Sequence, residues 1–134
     1  MRHISFGIIF CTMLLCSCHE SLEERAQREA REYTEKYCPT PVQNFTRTDS
    51  VAFDPSSKTY HYYCSVTGEL DNREIFDKNR EKLTEALLAN VKENTSFRAY
   101  KKEGFAFQWT LRSDSNPKEV YFDRRFTPKE YNKQ

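Results

Sequence analysis

The chain has 134 residues, which is enough for one domain. It carries 21 Lys and Arg residues against 20 Asp and Glu residues, a formal net charge of +1 at pH 7. A protein that binds nucleic acid usually has a large excess of basic residues, and this balance argues against that function. The composition also gives no polybasic signal for binding lipid headgroups.

The N-terminal segment predicts a secretion signal. Residues 4–16 read ISFGIIFCTMLLC, and Arg2 is the only charged residue before Glu20. An apolar run of about 13 residues is shorter than the ~20 that a membrane-spanning helix needs, and it falls within the ~7–15 of a signal peptide. A buried first helix of the fold is the alternative, and the abrupt change to polar residues at His19 argues against it.

The letters LCSC at residues 15–18 resemble a bacterial lipobox. Only the last cysteine, Cys18, is preceded by a small residue, Ser17. The resemblance implies a lipoprotein signal peptide over residues 1–17, lipidation of Cys18 and a lipid-anchored tether of residues 18–21. An ordinary signal peptide cut nearby is the alternative. A metal or redox pair within this stretch does not fit, because its first cysteine would be removed with the signal.

The first half of the exported chain predicts a helix and a β-hairpin. Ser21 and Glu24 form a capping box, and the CPTP stretch at residues 38–41 ends the helix. Its predicted inward stripe consists of Leu22, Ala26, Ala30, Tyr33 and Tyr37. Two stretches at residues 45–53 and 59–67 flank a turn rich in Asp, Pro and Ser, which predicts a hairpin. In the first of these, alternation places on one face Phe45, Arg47, Asp49, Val51 and Phe53.

The second half repeats this order. A capping box at residues 71–74 precedes a long amphipathic helix. A connector follows, in which we expect Phe97 and Tyr100 to pack inward. Two alternating stretches at residues 105–111 and 120–126 then predict a second hairpin.

Two helix–hairpin units predict an α+β fold for a single globular domain over residues 22–134. Because hairpins pair their strands antiparallel, we expect a four-stranded antiparallel sheet with the helices on one face. The other face would then be open to water or to a partner.

Cys38 and Cys64 are the two cysteines that follow the lipobox. An even number of cysteines in an exported domain favours a disulfide, so we take this pair as a candidate bridge. Two separate buried thiols are the alternative.

The letters YHYY at residues 60–63 place aromatic side chains on both faces of the second strand. One face must be core, so His61 and Tyr63 are candidates for an exposed binding face, together with Tyr121 and Arg125 from the last strand. Tyr and Arg are enriched where proteins bind proteins. Cross-strand pairing that only stabilises the sheet is the alternative.

The sequence contains no motif that indicates catalysis. Its three glycines are scattered, so no phosphate-binding loop is present, and neither a nucleophile elbow nor a zinc-protease motif occurs. His61 and Cys64 point to opposite faces of the predicted strand and cannot share a metal ion from it. We therefore expect no catalytic residue, no metal and no cofactor.

The whole chain resembles the small lipoproteins common in Bacteroidetes-type bacteria. Besides the lipobox, the resemblance rests on Cys38-Pro39, TDSV at residues 48–51, Tyr62-Tyr63 and FTPKEY at residues 126–131. It implies export and lipidation, and it implies no reaction. His19, rather than Asp, follows the lipidated cysteine, which by analogy with lipoprotein sorting rules favours the outer membrane.

These observations predict a lipid-anchored protein of the cell envelope that acts as a non-enzymatic binding module. Its partners would be the membrane, through Cys18, and a protein bound on the open sheet face. An inhibitor or immunity-type protein that binds a secreted enzyme is the alternative, and a hydrolase is a further one.

Overall fold

The computed structural model describes residues 19–134. The predicted signal peptide and Cys18 lie outside these residues. The elements are α1 (Leu22–Tyr37), β1 (Thr46–Asp54), β2 (Thr59–Val66), α2 (Arg73–Glu93), α3 (Arg98–Lys102), β3 (Ala106–Ser113), β4 (Val120–Phe126) and α4 (Pro128–Tyr131), with 3₁₀ turns at Gly68–Leu70 and Thr95–Phe97. Within the described residues, no helix combines the length and the apolar character needed to cross a bilayer.

The four strands form one sheet in the order β1-β2-β3-β4. Both predicted hairpins are present, since β1 pairs antiparallel with β2 and β3 pairs antiparallel with β4. The expectation of a purely antiparallel sheet is wrong, because β2 and β3 run parallel. The physical reason is the crossover of residues 67–105, in which α2 carries the chain back to the end of the sheet where β2 began.

One face of the sheet and the helices enclose the core. The side chains buried there are mostly aromatic: Phe53, Tyr60, Phe76, Phe97, Tyr100, Phe105, Phe107, Trp109, Tyr121, Phe122, Phe126 and Tyr131. Phe97 and Tyr100 pack inward from the connector as predicted. The connector itself is helical, since it contains a 3₁₀ turn and α3.

A bulge in β1 changes the face on which its later residues lie. The register shifts between Thr48 and Ser50, so Asp49 is an extra residue in the ladder. Val51 and Phe53 therefore point into the core, whereas Arg47 points to the opposite face. The predicted single alternation from residue 45 to residue 53 is wrong for this reason.

The two long helices begin at side-chain caps. Ser21 Oγ accepts a hydrogen bond from the Glu24 N–H at 3.1 Å, which confirms the predicted cap of α1. The cap of α2 is Asn72, one residue later than the start of the predicted box. Asp71 instead accepts hydrogen bonds from the Ser115 hydroxyl at 2.6 Å and the Tyr121 hydroxyl at 2.7 Å. Hydrogen bonding from the hydroxyls of Ser113, Ser115 and Tyr121 holds the pKa of Asp71 well below its usual value.

The outer edge of β1 is covered by backbone and side-chain partners from the chain just before it. The Thr34 hydroxyl of α1 donates to the Val51 carbonyl and accepts from the Val51 N–H, both at 2.9 Å. The Thr40 backbone N–H donates to the Thr48 carbonyl at 3.0 Å, and the Thr40 hydroxyl accepts from the Thr48 N–H at 2.9 Å. An unpaired strand edge is a template for adding another strand, and these contacts remove that template.

Helix α2 covers the outer edge of β4 with two arginines. Arg73 donates to the Val120 carbonyl at 3.1 Å, and Arg80 donates to the Tyr121 carbonyl at 2.7 Å. Both edges of the sheet are thus capped by helix side chains.

We predict that Thr34→Val lowers the free energy of unfolding by about 1–3 kcal/mol, because it leaves the half-buried N–H and carbonyl of Val51 without their partner. Urea unfolding would measure this loss. Thr84→Val is the matched control, since the Thr84 hydroxyl donates only within its own helix, to the Arg80 carbonyl at 2.8 Å. Equal stability of the two variants would contradict the edge-capping role.

Candidate functional site

The face of the sheet that lies opposite the helices is the first candidate site, and we call it the open face. The helices bury their apolar side chains against the other face, and no described helix covers this one. Taken across the strands, its side chains form one row of Ala52, His61, Gln108 and Arg125 and a second row of Ser50, Tyr63, Thr110 and Asp123.

The centre of the open face is an aromatic pair held by hydrogen bonds. The His61 ring stacks on the Tyr63 ring with 3.9 Å between centroids. His61 Nε2 lies 2.7 Å from the Thr110 hydroxyl on the neighbouring strand. Burial lowers the pKa of His61, which favours the neutral imidazole. The pair therefore presents a stacked aromatic surface to solvent.

Charged groups surround this pair. Arg125 donates to the Thr59 hydroxyl at 3.0 Å and to the Ser57 carbonyl at 3.1 Å, and its side chain is exposed. Gln108 donates to the Asp123 carboxylate at 2.7 Å. His61, Gln108, Asp123 and Arg125 already have hydrogen-bond partners, so a binding protein would meet these side chains in fixed positions.

A second network lies at the far corner of the open face. Arg47 forms ion pairs with Asp49 at 2.8 Å and with Asp114 at 2.7 Å. The Ser65 hydroxyl also donates to Asp49. This network fixes the bulged residue of β1 and the turn after β3 against each other.

The helical side carries a groove between α1 and the residues that follow α2, and we call it the tyrosine groove. Its volume is about 370 Å³, and its lining comprises Glu29, Tyr33, Val51, Tyr60, Tyr62, Asn94, Ser96, Phe97 and Tyr100. The Tyr60 ring stacks on Tyr100 at 5.6 Å, and the Tyr62 ring stacks on Trp109 at 5.0 Å. Burial raises the pKa of Tyr60 to about 12, so its hydroxyl stays protonated.

A family model matches residues 21–122, which is most of the chain. The chain belongs to the family described as a domain of unknown function, DUF8479. That description assigns no activity to the family. No curated protein sequence matches the chain.

Three solved structures share the fold at low sequence identity. One is a protein of Pseudomonas aeruginosa described as secreted, with a TM-score of 0.69, 14% identity and coverage of 84% of this chain and 99% of that one. The second is the pilotin EpsS of the Vibrio vulnificus type 2 secretion system, with a TM-score of 0.63, 12% identity and coverage of 84% and 93%. The third is the pilotin AspS of the Vibrio cholerae type II secretion system, with a TM-score of 0.59, 14% identity and coverage of 81% and 90%. At these identities the likeness shows the fold alone.

The structure brings together three of the four residues proposed for the binding face. The open face carries His61 and Arg125 in its first row and Tyr63 in its second row. Tyr121 does not join them, because it is only 5% exposed and its ring stacks on Phe76 of α2 at 5.1 Å. The register shift between β3 and β4 turns the Tyr121 side chain to the helical side, where the side chain of Phe122 also lies.

Sequence reasoning missed an exposed aromatic pair on α1. Tyr33 and Tyr37 fit the helical stripe of Ala26 and Ala30, but only the two alanines are buried. Tyr33 and Tyr37 are 39% and 62% exposed, and their rings are in contact with centroids 5.3 Å apart. The available signal was the change from alanine to tyrosine along the stripe. Alanine side chains allow the helix to approach the sheet closely, and the bulkier tyrosines that follow do not fit the same narrow space.

The residues that the structure describes contain no cluster of three or more His, Cys, Asp or Glu side chains suited to a metal ion. Cys38 and Cys64 are free thiols in the structure. They lie in the same region, because Thr40 bonds to Thr48, and Thr48 is the direct cross-strand partner of Cys64. Burial raises the pKa of both thiols, for Cys64 to about 11. The disulfide between them stays a prediction.

We predict that the exported protein, unfolded in urea without reductant, does not react with iodoacetamide at Cys38 or Cys64. An oxidising compartment favours a bridge between two thiols that the fold holds in one region. Mass spectrometry before and after reduction would measure the alkylation. In the Cys64→Ser control, Cys38 should react without reduction. Alkylation of both cysteines in the unreduced protein would show two separate thiols.

Proposed function

We propose that the protein is a lipid-anchored, non-enzymatic member of the cell envelope that binds a protein partner through the open face. The observation that carries the proposal is the uncovered group of His61, Tyr63 and Arg125, held in place by ring stacking and hydrogen bonds. Aromatic and arginine side chains are the groups most often found at the energetic centre of protein interfaces.

Because both sheet edges are capped, we propose that the partner contacts a face of the sheet and not one of its edges. A partner that added a strand would need the outward N–H and carbonyl groups of β1 or β4, and Thr34, Thr40, Arg73 and Arg80 already occupy several of them. The open face requires no such displacement, because its side chains reach solvent with their mutual contacts intact.

The fold offers further support for a binding role in the envelope. Two of the three structural neighbours are pilotins of type II secretion systems, and the third is described as secreted. We propose a partner within an envelope assembly on this basis. We also propose that the chain is one of the Bacteroidetes-type lipoproteins and that Cys18 anchors it in the outer membrane.

The anchor gives a direct prediction. Cells that express the full chain should incorporate labelled palmitate into it, and Cys18→Ala should abolish the label, because the lipid is attached to that sulfur. Gel autoradiography of the purified protein would measure this. Cys38→Ala is the matched control and should keep the label, whereas persistent label in Cys18→Ala would exclude the proposed lipidation site.

The open face gives a second prediction. A photo-crosslinking amino acid at position 63 in the full chain, expressed in its host, should yield one discrete adduct, because Tyr63 would contact the partner. Arg125→Glu should reduce that adduct strongly, since it reverses the charge on the same face. Tyr37→Ala, on the helical side, is the matched control and should leave it unchanged.

The outcomes of this experiment separate the functions. An adduct from position 33 and none from position 63 would move the contact to the tyrosine groove and contradict the open face. A captured enzyme that loses activity when bound would identify the chain as an inhibitor. Turnover by the chain itself, lost with one carboxylate, would overturn the non-enzymatic role.

A further inference from the structure

The chain between Cys18 and the domain is very short. Only His19 and Glu20 stand between Cys18 and the capping residue Ser21. At ~3.5 Å per extended residue, the backbone from Cys18 to Ser21 reaches at most about 10 Å. Glu20 is also fixed to the helix, because its carboxylate accepts two hydrogen bonds from Arg28 at 2.9 Å. A lipid on Cys18 would therefore bring the first turn of α1 to the bilayer surface.

Several other segments lie at this same end of the molecule, which we call the anchor end. It comprises the first turn of α1, the turn at residues 55–58, α3 and α4. Lys58 pairs with Glu23 of α1 at 3.6 Å, and the Lys58 carbonyl accepts from the Ala106 N–H at 2.9 Å. The Tyr131 hydroxyl of α4 donates to the Phe105 carbonyl at 2.8 Å. The parallel pairing of β2 and β3 places these contacts at one end of the sheet.

The charges of the anchor end are separated between its two corners. At the α1 corner, Glu23 pairs with a lysine and Glu20 with an arginine. At the corner formed by α3 and α4, the exposed side chains of Lys102, Lys129 and Lys133 make no ion pair with any residue that the structure describes.

The acidic groups near this second corner do not cancel the lysines. Glu130 is paired with Arg124 at 2.6 Å. Glu103 is the remaining carboxylate of α3 and its following turn. The balanced composition of the chain therefore conceals a local excess of positive charge, which lies about three strand spacings, or ~14 Å, from the α1 corner.

We infer that the corner bearing Lys102, Lys129 and Lys133 contacts anionic phospholipid headgroups of the bilayer that holds the lipid on Cys18. This inference rests on the lipid anchor of the proposed function. Charge attraction to a lipid surface acts only within about a Debye length, ~8 Å at physiological salt, and the short tether holds the lysines near that range. The domain would then contact the bilayer at two places, through the acyl chains on Cys18 and through the lysine corner.

Lysine footprinting of the full lipidated protein tests this contact. The protein would be reconstituted into vesicles of phosphatidylcholine alone or mixed with phosphatidylglycerol, and flotation would first establish that it is anchored. An amine-reactive reagent would then label exposed lysines, and mass spectrometry would measure each rate. We expect several-fold slower labelling of Lys102, Lys129 and Lys133 in the anionic vesicles than in the neutral ones.

Lysines at the opposite end of the molecule are the internal reference. Lys36 lies in the last turn of α1, and Lys118 lies in the turn between β3 and β4. Their labelling rates should be the same in both kinds of vesicle, because the domain length separates them from the lipid.

Charge reversal provides matched variants. The triple substitution Lys102→Glu, Lys129→Glu and Lys133→Glu leaves Lys58 in place at the anchor end, and Lys58 should then be labelled equally in both kinds of vesicle. The control carries Lys36→Glu, Lys78→Glu and Lys118→Glu, all away from the anchor end, and should keep the difference.

Two results would overturn the inference, and they are distinguishable. A protein that floats but shows equal lysine labelling in both kinds of vesicle would remove the headgroup contact and leave the anchor intact. A protein that does not float would remove the anchor, and the inference would be overturned with it.

Discussion

The parallel pairing of β2 with β3 is the constraint on which the architecture depends. It joins two hairpins into one sheet through a helical crossover, so the chain must return to the end of the sheet where β2 begins before β3 can begin. This return places α2 beside β4 on the face that α1 also covers. The other face is left open, and the start of α1 lies at the same end as α3 and α4. Both proposed contact surfaces therefore follow from this one pairing.

Local signals in the sequence were sufficient for the elements and for much of the core. The cap at Ser21, the alternation of β2 and β3 and the inward direction of Phe97 and Tyr100 depend on nearest neighbours, and the structure agrees with each. The open-face positions of His61, Tyr63 and Arg125 follow from the same alternation. These positions could be predicted because side-chain direction in an unbroken strand has a period of two.

The errors in side-chain direction arose where one extra residue in a strand shifts the alternation of the residues that follow it. An extra residue at Asp49 moves Val51 and Phe53 to the core side, and the shift near Tyr121 moves that side chain from the open face to α2. A bulge is stabilised by its tertiary contacts, here Ser65 with Asp49 and Asp71 with Tyr121. Such partners are distant in sequence, so a period of two cannot reveal them. The parallel pairing was missed because the local pattern of α2 and its connector does not show at which end of the sheet β3 begins.

If Cys18 carries the proposed lipid, the fold and the short tether together restrict how a bound partner could be oriented. The strands run between the anchor end and the opposite end, so a domain that stands on its anchor end has its sheet roughly perpendicular to the bilayer. The open face and the tyrosine groove then look sideways, in opposite directions, and neither is blocked by lipid. A partner that contacts His61 and Tyr63 would approach along the membrane surface rather than from above it. This geometry suits an envelope assembly whose own subunits lie in the plane of the same membrane.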